Sequence, residues 1–257
     1  MKIKFETHLD FDVSKIKEII SPRPIKKALP NWFVNLKIPE LPKDTPDFPF
    51  ESFFRRNKTI KNCLPVNDYL QSGYIIPAWE DMFFYKDETG QIKIRTSVDG
   101  FSKPEQRDAN HSAHSGNQFY EFTKTNIFNE YYGEKNLIKQ DAFAVLKLLN
   151  PWNIITPKGY SSLFMRPFYH DQKINILPGI VDTDSYKNRI NFPCFINIGI
   201  NETYRVNLGE PIIAVFPFKR DDWNASVKFN VVDKKEGYHT KITNYYKKFA
   251  RALKNYN

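Results

Sequence analysis

Glycine is scarce in this sequence, 10 of 257 residues, and cysteine scarcer still, with two. No Walker loop, no G-x-G-x-x-G turn and no kinase signature occurs, and Ser, His and Asp do not follow one another in a catalytic-triad order. Cys63 and Cys194 lie far apart in apolar surroundings, KNCLP and NFPCFI, which reads as two reduced, buried thiols. No apolar run approaches the roughly 20 residues of a membrane span. The opening MKIKFETHLDFD is charged throughout and does not read as a secretory signal. The expected setting is therefore cytoplasmic, either cellular or inside an infected cell. The sequons at Asn57, Asn201 and Asn224 then carry no weight. No internal repeat and no low-complexity tract is present.

What the chain does have points to β-structure. It is 41% hydrophobic, enough for one large domain or two small ones with a true core. Aromatics make up 16%, with 22 Phe and 14 Tyr, residues suited to half-buried β-surfaces. The 17 prolines cut the chain into short segments and disfavour long helices. A net charge of +9 favours an acidic partner such as nucleic acid, nucleotide phosphate or another anionic ligand.

Residues 1–50 read as an irregular, proline-punctuated arm. Within it Ile16 to Ile20 suits a short helix ended by Pro22 and Pro24, and Ile25 to Leu29 and Pro30 to Leu36 suit single helical turns, with Pro30 at a first helical position. Trp32 and Phe33 would pin the arm to a core. MFFYKDETGQIKIRT is the strongest hairpin signal, apolar Met82–Tyr85 followed by a polar turn and then alternating Ile92 and Ile94. Residues 99–118 lack periodicity and read as a long exposed loop, with two to three further strands expected between Phe119 and Leu149. From 140 to 232 short β-runs recur at regular spacing: AFAVLKLL, WNII, YSSLFM, KINIL, NFPCFINI, YRVN, PIIAVFPF and VKFNVV. Turn residues separate them, as in an all-β sandwich or barrel. At the end, Ile242, Tyr245, Tyr246, Phe249 and Leu253 fall at helical spacing, opposite Lys247, Lys248, Arg251 and Lys254, which predicts an amphipathic helix.

Several constellations read more simply as structure than as sites. His111 and His114 have a metal-compatible spacing, but zinc needs three or four ligands and only Asp108 and distant His170 offer themselves, so no metal site is expected. Gln118 on the same loop is a candidate pocket residue. Phe53-Phe54-Arg55-Arg56-Asn57-Lys58 interleaves aromatics with bases, as single-strand binders do, although an anchored loop under solvated arginines is commoner. Lys219 and Arg220 stand beside Asp221 and Asp222 and would pair locally. Trp79, Trp152 and Trp223 read as core or domain-contact residues. In PGIVDTDSY, residues 178–186, a glycine and a β-branched pair lead into Asp182-Thr183-Asp184, which fits a strand ending in an Asx-type turn whose aspartates cap backbone N–H groups.

Three motifs, in order, give the run from Pro151 to Phe218 a family likeness. Thr156-Pro157-Lys158-Gly159-Tyr160 resembles the P-x-G-Y turn of the dUTPase and dCTP deaminase (β-clip) family, Pro178-Gly179-Ile180-Val181-Asp182 its G-[VI]-[IV]-D motif, and Leu208-Gly209-Glu210-Pro211-Ile212-Ile213-Ala214 its G-[DE]-x-[IV]-[AG]-Q segment. The resemblance implies Asp182 as the base that activates water against a nucleotide α-phosphate, with Mg neutralising the phosphates, and Tyr186 as the residue packing on the sugar. Ser162, Arg166 and Asp184 join them as ligand-binding candidates. The sequence departs from the family where phosphate would be held: the loop expected to read P-R-S-G reads Met165-Arg166-Pro167-Phe168-Tyr169, and the closing glutamine is Val215. Ser185 is in effect an insertion, and the Gly-rich C-terminal arm is replaced by the predicted helix. The whole chain also resembles an uncharacterised family of marine tailed-phage and metagenome proteins, through IKKALPNWF, TIKNCLPVNDYLQSGYIIPAW, PWNIITPKGYSSLF, LPGIVDTDSY and GEPIIAVFPFKRDDW.

The fold expected is one compact unit, mainly β and α+β overall, with a β-clip-like core over 140–257 that includes the C-terminal helix, and an N-terminal arm and β-rich subdomain over 1–139. The function expected is that of a non-catalytic phage-type protein, a ligand-binding or virion-assembly component, without a cofactor. A dUTPase-like hydrolase using Asp182 and a nucleic-acid-binding protein are the alternatives. A homo-oligomer is compatible with the sequence, and a membrane partner is not expected.

Overall fold

Strands dominate the described residues, as the β-branched and aromatic runs require. The computed structural model describes residues 1–7, 14–37, 59–89, 92–96 and 143–229. The chain divides into two units, Met1–Leu36 with Tyr69–Arg220 and Lys37–Asp68 with Asp221–Asn257.

The first unit begins with β1 (Lys4–Glu6), α1 (Ser14–Ile20), β2 (Arg23–Pro24), a 3₁₀ turn (Ile25–Lys27) and α2 (Asn31–Asn35). It continues with β3 (Tyr74–Pro77), β4 (Met82–Lys86), β5 (Ile92–Thr96), β6 (Phe143–Leu149), β7 (Asn153–Ile155) and β8 (Tyr160–Met165). The last strands are β9 (Ile174–Ile176), β10 (Gly179–Val181), β11 (Asn191–Asn197), β12 (Thr203–Val206) and β13 (Pro211–Lys219). A five-stranded sheet has the order β10-β8-β13-β3-β2, every pair antiparallel. Two three-stranded sheets, β6-β11-β9 and β12-β4-β5, and the pair β1-β7 complete it. Strands from before residue 139 therefore share sheets with strands from after it: β1 with β7, β3 with β13 and β4 with β12.

The core explains these pairings. Trp79, Phe84, Phe164, Ile75, Ile76, Met82, Leu148, Ile154, Ile174 and Ile196 are fully buried, and burying each such side chain is worth about 1.5–3 kcal/mol. In β13 the consecutive residues Ile212, Ile213, Ala214 and Val215 are all buried, so this strand is covered on both faces and shows no polar alternation. The predicted hairpin is present, β4 and β5 pairing from Met82↔Thr96 to Lys86↔Ile92. Seven of the eight expected β-runs after residue 140 form strands, β6 to β9 and β11 to β13.

Other expectations are corrected. The N-terminal arm is not wholly irregular, because Lys4–Glu6 adds a strand to β7 and Arg23–Pro24 one to β3. Segments of three and two residues are too short for alternation to reveal them. Pro30 precedes α2 as its cap and does not occupy its first turn. VKFNVV is not a strand over Val227 to Phe229, which are exposed and lack a strand partner among the described residues. Trp223 is 90% exposed and not core, since the chain has left β13 by then, whereas Trp79 and Trp152 are buried. Cys194 is buried as expected, but Cys63 is exposed.

Of the second unit the structure describes a 3₁₀ turn (Ile60–Asn62) followed by the start of α3 (Leu64–Gln71), with Asn67 donating to the Lys61 carbonyl. Residues 221–229 are exposed and form no helix or strand. The loop with His111, His114 and Gln118, the segment Phe53–Lys58, the strands expected in 119–142 and the C-terminal helix lie outside the described residues. Among the described residues no helix is long and apolar enough to cross a membrane.

Candidate functional site

Two turns meet at one end of the five-stranded sheet. Strand β10 runs beside β8, with Val181 opposite Ser162, and stops at Asp182. The Asp182 carbonyl then accepts from the N–H groups of Ser185 and Tyr186 at 3.0 and 2.9 Å, which folds D-T-D-S-Y into a turn. Facing it is the turn Pro157–Tyr160, closed by Tyr160 N–H to the Pro157 carbonyl at 3.2 Å. Its third position is Gly159 with φ of 85°, the conformation a type II turn demands and glycine adopts without strain. The Gly159 N–H donates to Asp184 Oδ2 at 2.7 Å. Asp184 therefore caps the opposite turn, and within the D-T-D-S-Y turn it is a main-chain carbonyl, not a carboxylate, that takes the N–H groups of Ser185 and Tyr186.

Between and beneath the turns lies a buried ladder of hydroxyls. Thr183 Oγ1 is 2.7 Å from Thr156 Oγ1 and 3.0 Å from Ser162 Oγ, and Thr156 Oγ1 donates to the Tyr160 carbonyl at 3.2 Å. Such polar groups are tolerated inside because each has a partner.

Arg220 completes the arrangement. Strand β13 pairs with β8 as far as Lys219↔Tyr160, so the next residue arrives beside the Gly159 turn, and Arg220 N–H donates to the Gly159 carbonyl at 2.9 Å. Its Nη1 lies 3.0 Å from Asp182 Oδ1, 3.0 Å from Asp184 Oδ1 and 3.2 Å from Ser161 Oγ, and its Nη2 donates to Asp184 Oδ2. Ser161 Oγ in turn donates to Asp182 Oδ1 at 2.6 Å. The hydrogen bond from Ser161, then that from Arg220, holds the Asp182 carboxyl below the usual range. Arg220 and the Gly159 N–H hold Asp184 lower, at about 2. Asp184, above all, raises the pKa of the Arg220 guanidinium. The side chain of Asp184 is 7% exposed and that of Asp182 59%.

The structure brings some of the sequence-derived candidates together and separates others. Asp182 and Asp184 share one guanidinium. Ser162 is fully buried and its hydroxyl meets Thr183, within the ladder. Tyr186 sits at the margin of the turn, 43% exposed. Arg166 follows the other end of β8, five residues past Ser161, a separation of roughly 16 Å along an extended strand. There it donates to Asn175 Oδ1 at 2.7 Å, and its guanidinium lies 5.5 Å from the centroid of the Phe168 ring. Gly159 stood out in the sequence as part of the Pro-x-Gly-Tyr turn, but Arg220 and Ser161 did not stand out as site residues. Arg220 was expected to pair with Asp221 and Asp222, and the β13–β8 register that delivers it to Asp182 is a long-range fact without a local signal. Among the described residues no group of three or more His, Cys, Asp or Glu side chains is placed to hold a metal ion.

Arg220 and Asp184 tie the two turns to each other. A carboxylate with a lowered pKa is a weak proton acceptor, and a general base works best with a pKa near the operating pH. Both described contacts of the Asp182 carboxylate fall on Oδ1.

Among solved structures similar to this chain are two of the dUTPase from phage phi11 of S. aureus. One, a mutant described for its coordination of a structural Mg(II) ion, matches with 17% identity and a TM-score of 0.25, over 37% of this chain and 74% of that chain. The other, which visualises the species-specific insert, matches with 16% identity and a TM-score of 0.24, over 37% and 75%. No family model and no curated protein matches this chain.

Proposed function

We propose that this is a non-catalytic, phage-type binding or virion-assembly protein with a β-clip-like core, in which the Asp182 turn is a structural latch. The observation that carries the reading is the engagement of Asp182 by Arg220 and Ser161, which lowers its basicity where a hydrolase would need a base. The loop after β8 supports it. At the place where the resembled family holds phosphate on main-chain amides, Pro167 has no N–H, Phe168 N–H donates to Tyr69 Oη at 3.0 Å, and His170 N–H donates to the Pro167 carbonyl at 3.2 Å. Those amides satisfy the protein itself. The resemblance to the uncharacterised marine tailed-phage family supplies the phage context, and a place in the virion or host cytoplasm is part of the same proposal.

The test is incubation of the purified chain with dUTP and the other nucleoside triphosphates in Mg²⁺, with release of pyrophosphate or phosphate as readout. No turnover above buffer is expected. Turnover that disappears in a folded Asp182→Asn variant would overturn the proposal in favour of a hydrolase built on Asp182.

A further inference from the structure

The turn that follows β8 holds aromatic rings in water. His170 N–H closes Pro167–His170 as a four-residue turn, and Phe168 at its second position is 55% exposed. The turn is anchored on both sides of that ring. Phe168 N–H donates to Tyr69 Oη at 3.0 Å, and the Tyr169 carbonyl accepts from Trp32 Nε1 at 2.9 Å. The Tyr169 ring packs edge-on against Phe168 at 5.2 Å and against Tyr69 at 5.5 Å, with Trp32 at 6.3 Å. Trp32 is itself 45% exposed. The backbone that presents this ring is held by hydrogen bonds to Tyr69 and Trp32.

Positive charge accompanies the rings. The Arg166 guanidinium lies over the Phe168 ring and is steadied by Asn175, and no carboxylate among the described residues pairs with it. Trp32, whose Nε1 donates to the Tyr169 carbonyl, follows exposed Lys26 and Lys27 by six and five residues, so the segment that carries them reaches the same turn. The nearest acidic residue in sequence, Asp171, is exposed. The whole chain carries +9.

A rigid exposed ring beside cations suits a ligand that is flat, apolar on its faces and attached to a polyanion. An unpaired base on a phosphate backbone has those properties, whereas a base within a duplex has its faces already stacked. We propose that the Phe168 turn is a stacking site for a base of single-stranded nucleic acid, with Arg166, Lys26 and Lys27 meeting its phosphates. The proposal is independent of the reading of Asp182, since a hydrolase and a binding protein alike can carry this surface.

The experiment is fluorescence anisotropy of a labelled oligothymidylate titrated with the full chain. Binding at low salt that weakens as salt rises is expected. Phe168→Ala is expected to bind about tenfold more weakly or worse, Phe168→Tyr like the native chain because it keeps the ring, and the same sequence as a duplex more weakly than the single strand. Circular dichroism melts establish that each variant is folded, and Arg166→Gln provides a second weakened variant should Phe168→Ala misfold. Absence of binding at low salt overturns the proposal. So does a folded Phe168→Ala that binds like the native chain, or equal binding of duplex and of heparin, which would assign the affinity to charge alone.

Discussion

Arg220 grips Asp184 with both guanidinium nitrogens across 36 residues of chain, Nη1 lying 3.0 Å from Oδ1 while Nη2 donates to Oδ2. Two-pronged pairs of this kind fix orientation as well as charge. Because β8 lies between β10 and β13, the pair ties the turn after one flanking strand to the end of the other and closes that end of the sheet.

Neutralising Asp184 is expected to loosen this closure. Asp184→Asn should lower Tm by a few degrees at neutral pH, and by more than Asp182→Asn, whose carboxylate is 59% exposed and meets one guanidinium nitrogen. The pH dependence has a defined sign. Asp184 has a folded pKa of about 2, below its unfolded value of about 3.9, so its contribution is complete above the unfolded pKa and is lost as pH falls toward the folded one. Asp182, also depressed, acts in the same direction. The Tm gap between the native chain and Asp184→Asn should therefore be open at pH 7 and close between about pH 4 and 2. Thermal melts by circular dichroism check this, and a gap unchanged in acid would trace the loss to something other than the charge.

Two glycines should differ in what alanine costs. At Gly159, φ is 85° but a Cβ would meet nothing within 4 Å, so Gly159→Ala should cost only the backbone strain, about 1–3 kcal/mol. At Gly73, φ is 74° and a Cβ would lie 2.5 Å from the Val215 carbonyl oxygen and 2.7 Å from Phe216 Cδ1. Gly73→Ala must therefore also displace the backbone of β13 and should be the more destabilising of the two. Urea unfolding of both variants tests the order, and equal losses would contradict the contact at Gly73.

The two thiols should react on different timescales. Cys63 is exposed and should be modified by a thiol reagent in the native protein, whereas Cys194 is buried in β11 and its burial pushes the thiol pKa well up. Titration with a chromogenic disulfide should release one equivalent natively and a second only in denaturant, and prompt release of both would mean that β11 opens in the folded state.

Much of the scaffold was legible in the sequence. Short-range signals sufficed for α1, for the β4–β5 hairpin and for the β-runs that became β6 to β9 and β11 to β13. The turn at Gly159 was visible as Pro-x-Gly-Tyr, because proline and glycine act on their own backbone. The site was legible in part. Asp182 and Asp184 stood out as an acidic turn, but their partners did not, and Ser162 looked like a ligand contact when it is an internal hydroxyl. The strands of two and three residues near the N-terminus were hidden, since pairing, and not local pattern, makes them strands.

By itself the sequence determined that this chain would be β-rich, punctuated by turns and basic. Those properties come from side-chain shape, backbone restriction and charge, all of which act within a few residues. Only the tertiary structure decided that β13 would lie between β8 and β3, that Arg220 would emerge beside Gly159 and that one guanidinium would hold two carboxylates. Strand register over such separations is set by burial of Ile212 to Val215 on both faces of the sheet, and many different pairings of the same runs satisfy the local rules equally well.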